Sequence, residues 1–130
     1  MMPSVRPAPE IVCLVDDDSA VLKSIGRLLA SDGLAARSFD QPQDFLAYVQ
    51  TNKVAVVVLD IWMGQMNGPE VQAQISALSP GTRVIVITGR EDAKMKEAVL
   101  RAGAVAYFNK PFDDGEFLGA VRGALNMQVQ

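Results

Sequence analysis

Asp60 closes an apolar run, Val54-Ala55-Val56-Val57-Val58-Leu59, and a carboxylate at such a tip is a candidate nucleophile or metal ligand. Acids that leave a strand are more often turn formers or helix caps, so Asp60 alone decides nothing. A second apolar run, Ile11-Val12-Cys13-Leu14-Val15, stops at Asp16-Asp17-Asp18; a third, Arg83-Val84-Ile85-Val86-Ile87, ends on Thr88; a fourth leads through Phe108-Asn109 to Lys110-Pro111. Asp18 or Ser19 suits the cap of a following helix, but Asp16 and Asp17 cannot both be caps. Carboxylates crowded at one place repel, and each tends to hold a proton unless a cation intervenes. Mg²⁺ is the natural cation, because it takes one or two carboxylates with carbonyl and water oxygens and keeps positions open for phosphoryl oxygens. With that metal and Lys110 neutralising incoming charge, Asp60 can attack a phosphoryl group in line and keep it as an acyl phosphate. A charge pair about 4 Å apart is worth about 4 kcal/mol at an effective dielectric near 20, enough to hold Lys110 over such a site.

This chemistry requires the four run ends to meet, and the elements between them say how. Strand patterns lie at about 11–15, 34–39, 54–59, 83–88 and 104–108, the second being the weakest. Helical stripes separate them: Val21, Ile25, Leu28 and Leu29; Phe45, Leu46 and Val49; Val71, Ile75 and Leu78; Met95, Ala98, Val99 and Ala102; and last Phe117, Leu118, Val121, Ala124 and Leu125. Gly33, Pro42, Pro80-Gly81 and Gly103 stand where helices should stop or start. The expected fold is α/β: (βα) five times over, a doubly wound parallel five-stranded sheet. In the flavodoxin-like order 2-1-3-4-5, strands 1, 3, 4 and 5 all deliver their C-terminal ends to one crevice at the switch point.

At 130 residues with 49% hydrophobic composition, one domain is expected, over 10–127, behind a loose proline-rich leader at 1–9. A net charge of −3 argues against nucleic acid or an anionic membrane as partner. No apolar stretch is long enough for a membrane span, and the N-terminus lacks a secretory signal. Cys13, the single cysteine, reads as a small buried hydrophobe and suits a reducing compartment. A cytoplasmic protein is expected.

On Val15-Asp16-Asp17-Asp18, Leu59-Asp60, Met66-Asn67-Gly68, Ile87-Thr88-Gly89, Ala102-Gly103-Ala104 and Lys110-Pro111-Phe112, the chain resembles the receiver domain of two-component response regulators, the CheY-like superfamily. The resemblance covers residues 11 to about 125. It implies that Asp60 is the phosphoacceptor, that Asp16 and Asp17 hold Mg²⁺ together with the main-chain carbonyl of Trp62, that Thr88 and Lys110 contact the phosphoryl oxygens, and that Tyr107 is the aromatic switch. A receiver assists its own phosphorylation and dephosphorylation without being an enzyme toward outside substrates. Its donor is a sensor histidine kinase or phosphotransfer protein, since this chain contains no histidine. Its output is expected through a face of helix 4, strand 5 and helix 5, which also suits a homodimer; here that face carries Lys94, Lys96, Arg101, Asp113, Asp114 and Glu116.

Ile87-Thr88-Gly89-Arg90-Glu91-Asp92 and Lys110-Pro111-Phe112-Asp113-Asp114 are similar to receivers of the FixJ subgroup, whose full-length members usually carry a C-terminal helix-turn-helix. The alternatives to a stand-alone receiver are one excised from a DNA-binding regulator of that type or a degenerate one; all five expected site positions are filled, which disfavours degeneracy. Gly64 stands where receivers usually have proline, which leaves the loop freer and predicts weaker metal binding. Trp62, with Arg90 opposite, is expected to roof the acyl phosphate against water. A haloacid dehalogenase-type phosphatase would need an acid where Trp62 stands, and a flavodoxin-like cofactor binder would find its phosphate repelled by Asp16-Asp17-Asp18.

Overall fold

The structure, a computed structural model, describes residues 10–63 and 66–127. The leader expected at 1–9 and the Gly64-Gln65 part of the loop lie outside the described residues. Strands β1 (Ile11–Val15), β2 (Ala35–Phe39), β3 (Val56–Asp60), β6 (Arg83–Thr88) and β7 (Ala106–Asn109) form a parallel sheet in the order β2-β1-β3-β6-β7. This is the expected 2-1-3-4-5 arrangement. A short antiparallel ribbon, β4 (Trp62–Met63) with β5 (Met66–Asn67), was not foreseen from the sequence. Helices α1 (Ser19–Ser31), α2 (Pro42–Tyr48), α3 (Gly68–Leu78), α4 (Ala93–Arg101) and α5 (Asp114–Asn126) complete the chain.

Every residue of β3 is buried, so alternation along it feeds two cores. Val57 and Leu59 join the layer under α2, α3 and α4, with Phe45, Val71, Ile75 and Val99. Val56 and Val58 join the layer under α1 and α5, with Ile25, Leu29, Phe117 and Val121. Each such aliphatic or aromatic side chain contributes about 1.5–3 kcal/mol by leaving water, which makes the centre of the sheet the rigid base for whatever sits at its edge. At the sheet's rim, β2 is mostly exposed, which is why its apolar pattern is faint in the sequence.

Two strands begin two residues later than their patterns suggest. Val54 and Ala55 lead into β3: the Val54 carbonyl accepts from Thr82 Oγ1 at 2.7 Å, and the Ala55 carbonyl accepts from the Arg83 amide at 2.8 Å where the pairing with β6 begins. At the other end Asp60 falls within the ladder, opposite Ile87. Ala104 and Val105 lie before β7: the Ala104 amide closes α4 by donating to the Val99 carbonyl, with Gly103 at φ +110° making the turn. The α4 stripe is also narrower than its periodicity. Val99 is buried while Ala98 and Ala102 are exposed, because alanines satisfy a helical period without demanding cover. Leu78 ends α3 in solvent, 42% exposed.

Gly68 has a steric reason. A Cβ there would lie 2.5 Å from Ile61 Cγ2 and 3.2 Å from Ile61 Cα, and the Gly68 amide donates to the Ile61 carbonyl at 3.1 Å. Ile61 is fully buried and its amide is held by the Ile87 carbonyl, so it cannot give way. Gly68→Ala should therefore cost about 1–3 kcal/mol, read as a lower urea midpoint with an unchanged slope.

Candidate functional site

The sheet brings Asp16, at the end of β1, beside Asp60, at the end of β3. Both are buried, at 1% and 6% exposure, whereas Asp17 is exposed. Backbone donors fix each one: Asp16 Oδ1 accepts from the Asp18 amide at 2.9 Å, and Asp60 Oδ1 accepts from the Trp62 amide at 3.1 Å. Lys110, just past β7, reaches over both, with Nζ 2.9 Å from Asp16 Oδ2 and 3.6 Å from Asp60 Oδ2. The Lys110–Pro111 peptide is cis. Asp18 is set apart as the cap of α1, its carboxylate accepting from the Ala20 and Val21 amides.

Electrostatics make this an acid poised to take a cation. Burial pushes the Asp60 carboxyl up to about 6, with the Asp16 charge adding to the rise; the Trp62 amide and the Lys110 ammonium pull the other way. Burial lowers Lys110, but its bond to Asp16 and the nearby Asp60 more than offset that, so its proton is held above the usual lysine range. Carboxylate oxygens of Asp16, Asp17 and Asp60 lie within 4.8 Å of one another. An octahedral hard cation with bonds of about 2.1 Å sets neighbouring oxygens about 3 Å apart and opposite ones about 4.2 Å, so this donor set fits a divalent metal with little movement. Trp62, expected to add its carbonyl, lies in β4 with its amide bound to Asp60.

Thr88 is fully buried at the end of β6, and its carbonyl accepts from the Lys110 amide at 2.7 Å. Its hydroxyl does not turn to the carboxylates. Thr88 Oγ1 accepts from the Arg90 amide at 3.0 Å and lies 3.3 Å from the Arg90 carbonyl, to which it donates. The Arg90 guanidinium was expected opposite Trp62 across the site, but it stands 4.4 Å over the Trp62 ring itself. Trp62 packs against the same core layer as Tyr107 and Met95.

Tyr107, expected as the aromatic switch, turns inward. Its hydroxyl is buried, without a hydrogen bond of good geometry among the described residues, its ring packs on the α2–α4 layer, and Lys96 Nζ lies 5.6 Å from the ring centre. Burial raises its pKa, and the neighbouring Asn109 side chain offsets part of that. Asn109 itself was not singled out from the sequence, because an asparagine before Lys-Pro reads as a turn residue. In the fold its amide Nδ2 donates to the Arg90 carbonyl at 3.0 Å. Of the expected output-face residues, Lys94, Lys96, Arg101, Asp113, Asp114 and Glu116 are all exposed. Three are already engaged: Arg101 pairs with Glu97 at 2.6 Å, Asp113 caps α5, and Lys96 lies over the Tyr107 ring.

A doubly wound sheet whose switch-point crevice holds two buried aspartates under a lysine defines a CheY-like domain. The family model described as "Response regulator receiver domain" matches residues 12–122, and the chain belongs to that family. It is 37% identical over 120 residues to the response regulator protein TodT of Pseudomonas putida, covering 92% of this chain and 53% of that one. With the transcriptional regulatory protein FixJ of Rhizobium meliloti it shares 34% over 113 residues, covering 87% of this chain and 55% of that one. The chain thus spans about half the length of the curated relatives it matches. Among solved structures, the beryllofluoride-activated NtrC4 receiver domain dimer superimposes with a TM-score of 0.86 at 26% identity, covering 91% of this chain and 98% of that one.

Proposed function

We propose that the chain is a phospho-accepting receiver that takes a phosphoryl group onto Asp60 from the phosphohistidine of a sensor histidine kinase or phosphotransfer protein. In the transfer the P–N bond breaks, a bond forms from phosphorus to an Asp60 carboxylate oxygen, and the imidazole leaves with the electron pair. Asp16 and Asp17, with Asp60 and the Trp62 carbonyl, would hold Mg²⁺, which when bound supplies positive charge to the phosphoryl oxygens and relieves repulsion among the acids. Lys110 supplies the second positive charge, and its raised pKa keeps it protonated. Thr88 turns from Arg90 to a phosphoryl oxygen, and the α4–β7–α5 face responds through Tyr107 as a population shift toward a partner or output domain. The chain acts on itself rather than as an enzyme toward outside substrates.

One observation carries this reading: a buried Asp60 with Lys110 Nζ at 3.6 Å and two further carboxylates within metal-binding distance. Homodimerisation through the same face is proposed by analogy with the NtrC4 receiver dimer. No helix among the described residues is long and apolar enough to cross a membrane; work in the cytoplasm is proposed from the family alone. Incubation with acetyl phosphate and Mg²⁺, followed by intact mass measurement, should add one phosphate mass to the parent and none to Asp60→Asn. Equal addition to both, or none to either, would refute the assignment.

A further inference from the structure

Thr88 cannot serve a phosphoryl group while its hydroxyl serves Arg90. Both of its hydrogen bonds end on the Arg90 main chain, the amide at 3.0 Å and the carbonyl at 3.3 Å. That main chain is itself pinned: Asn109 Nδ2 donates to the same carbonyl at 3.0 Å from β7, and the Arg90 side chain lies on the Trp62 ring at 4.4 Å. Asn109 is paired with Thr88 across the β6–β7 ladder, so both grips on Arg90 come from one level of the sheet. Asn109 is also neighbour to Lys110 in the chain and two residues from Tyr107, which places it between the catalytic lysine and the aromatic switch.

We propose that Asn109 is a positioning residue which, by holding the Arg90 carbonyl, forms a latch that keeps Thr88 turned away from Asp60 and sets the threshold of the switch. The inference rests on the phospho-accepting reading above and adds to it the contact that opposes activation. Phosphoryl oxygens must outcompete the Arg90 main chain for one hydroxyl. Asn109 stabilises the latched arrangement by fixing the acceptor of the Thr88 hydroxyl; whatever it adds to that arrangement weakens phosphoryl binding, and removing it must strengthen binding by the same factor. For one uncharged side-chain hydrogen bond that factor is about three- to tenfold.

Beryllofluoride with Mg²⁺ serves as the phosphoryl probe, and the fluorescence of Trp62, the chain's single tryptophan, as the readout. Asn109→Ala should bind the probe about three- to tenfold more tightly than the parent. Asn109→Leu, which nearly keeps the shape but has no donor for the Arg90 carbonyl, should do so to the same extent and stands in should the alanine variant fail to fold. In a Thr88→Val background, where there is no hydroxyl to hold back, Asn109→Ala should leave the affinity unchanged. Unchanged or weaker binding by the folded Asn109 variants, with a normal parent response, would overturn the latch alone. An equal gain in the Thr88→Val background would overturn its route through Thr88. No Mg²⁺-dependent response in the parent would overturn the phospho-accepting reading and the latch with it.

Discussion

Lys110→Met should destabilise the metal-free protein by about 2–4 kcal/mol near neutral pH, because it leaves two buried carboxylates facing each other without a cation. Asp16 Oδ2 would lose a partner at 2.9 Å and Asp60 Oδ2 one at 3.6 Å, while methionine retains most of the packing of the lysine stem. Proton uptake provides the escape. Asp60 already holds its proton up to about 6 for reasons of burial, and removing the ammonium moves that value higher still. The deficit should therefore be largest above about pH 6 and shrink toward about pH 4, where Asp60 is neutral. Mg²⁺ should restore part of the loss by supplying charge to the same carboxylates. Urea melts with chelator or with Mg²⁺, at both pH values, decide the matter: a deficit indifferent to pH and metal would mean that Lys110 matters only for packing. Loss of a charge-assisted contact to the phosphoryl group should also slow labelling by acetyl phosphate about tenfold or more.

The parts of this site legible in the sequence are those held by the sheet. Asp16, Asp60 and Thr88 each follow a run rich in β-branched residues and Lys110 follows a short apolar one, and such runs reveal both the strand and the place where its last side chain emerges. Parallel pairing then makes neighbours of residues up to 94 apart in sequence, as in the Lys110–Asp16 bond. What escaped prediction depends on loops. The β4–β5 ribbon rests on two-residue strands with no periodicity to detect, although Gly68 marks its end by the close approach to Ile61. Asn109 hides in the same way: its bond to Arg90 exists only because the β6–α4 loop folds back on β7, and no spacing in either segment announces it. Tyr107 shows a third limit. Its position could be read from Lys110, but its rotamer is decided by packing against the α2–α4 layer and by Lys96, which no local pattern encodes.

Asp60→Asn should stabilise the metal-free protein near neutral pH by about 1–3 kcal/mol while removing its capacity to accept phosphate. The Asp60 carboxyl holds its proton up to about 6 in the folded chain against an ordinary value of 3.8. Between those values the folded state binds more protons than the unfolded one, so stability falls as pH rises through that window and the loss is complete above about 6. At about 1.4 kcal/mol per unit the upper bound is near 3 kcal/mol, reduced in practice because asparagine gives up the attraction to Lys110. The variant should accordingly show a flatter stability profile across the window. Mg²⁺ should then reverse the ranking. The parent gains folding free energy from a metal held by three carboxylates, whereas the variant offers two and a neutral amide, so its gain at saturating metal is smaller. Thermal melts of both proteins, with and without Mg²⁺, at about pH 4 and about pH 7, measure all three terms. A parent more stable than the variant without metal near neutral pH would show that Asp60 is not strained there. Reversal with metal would show instead that the strain of three crowded acids is what makes the site ready for a cation, and through it for a phosphoryl group.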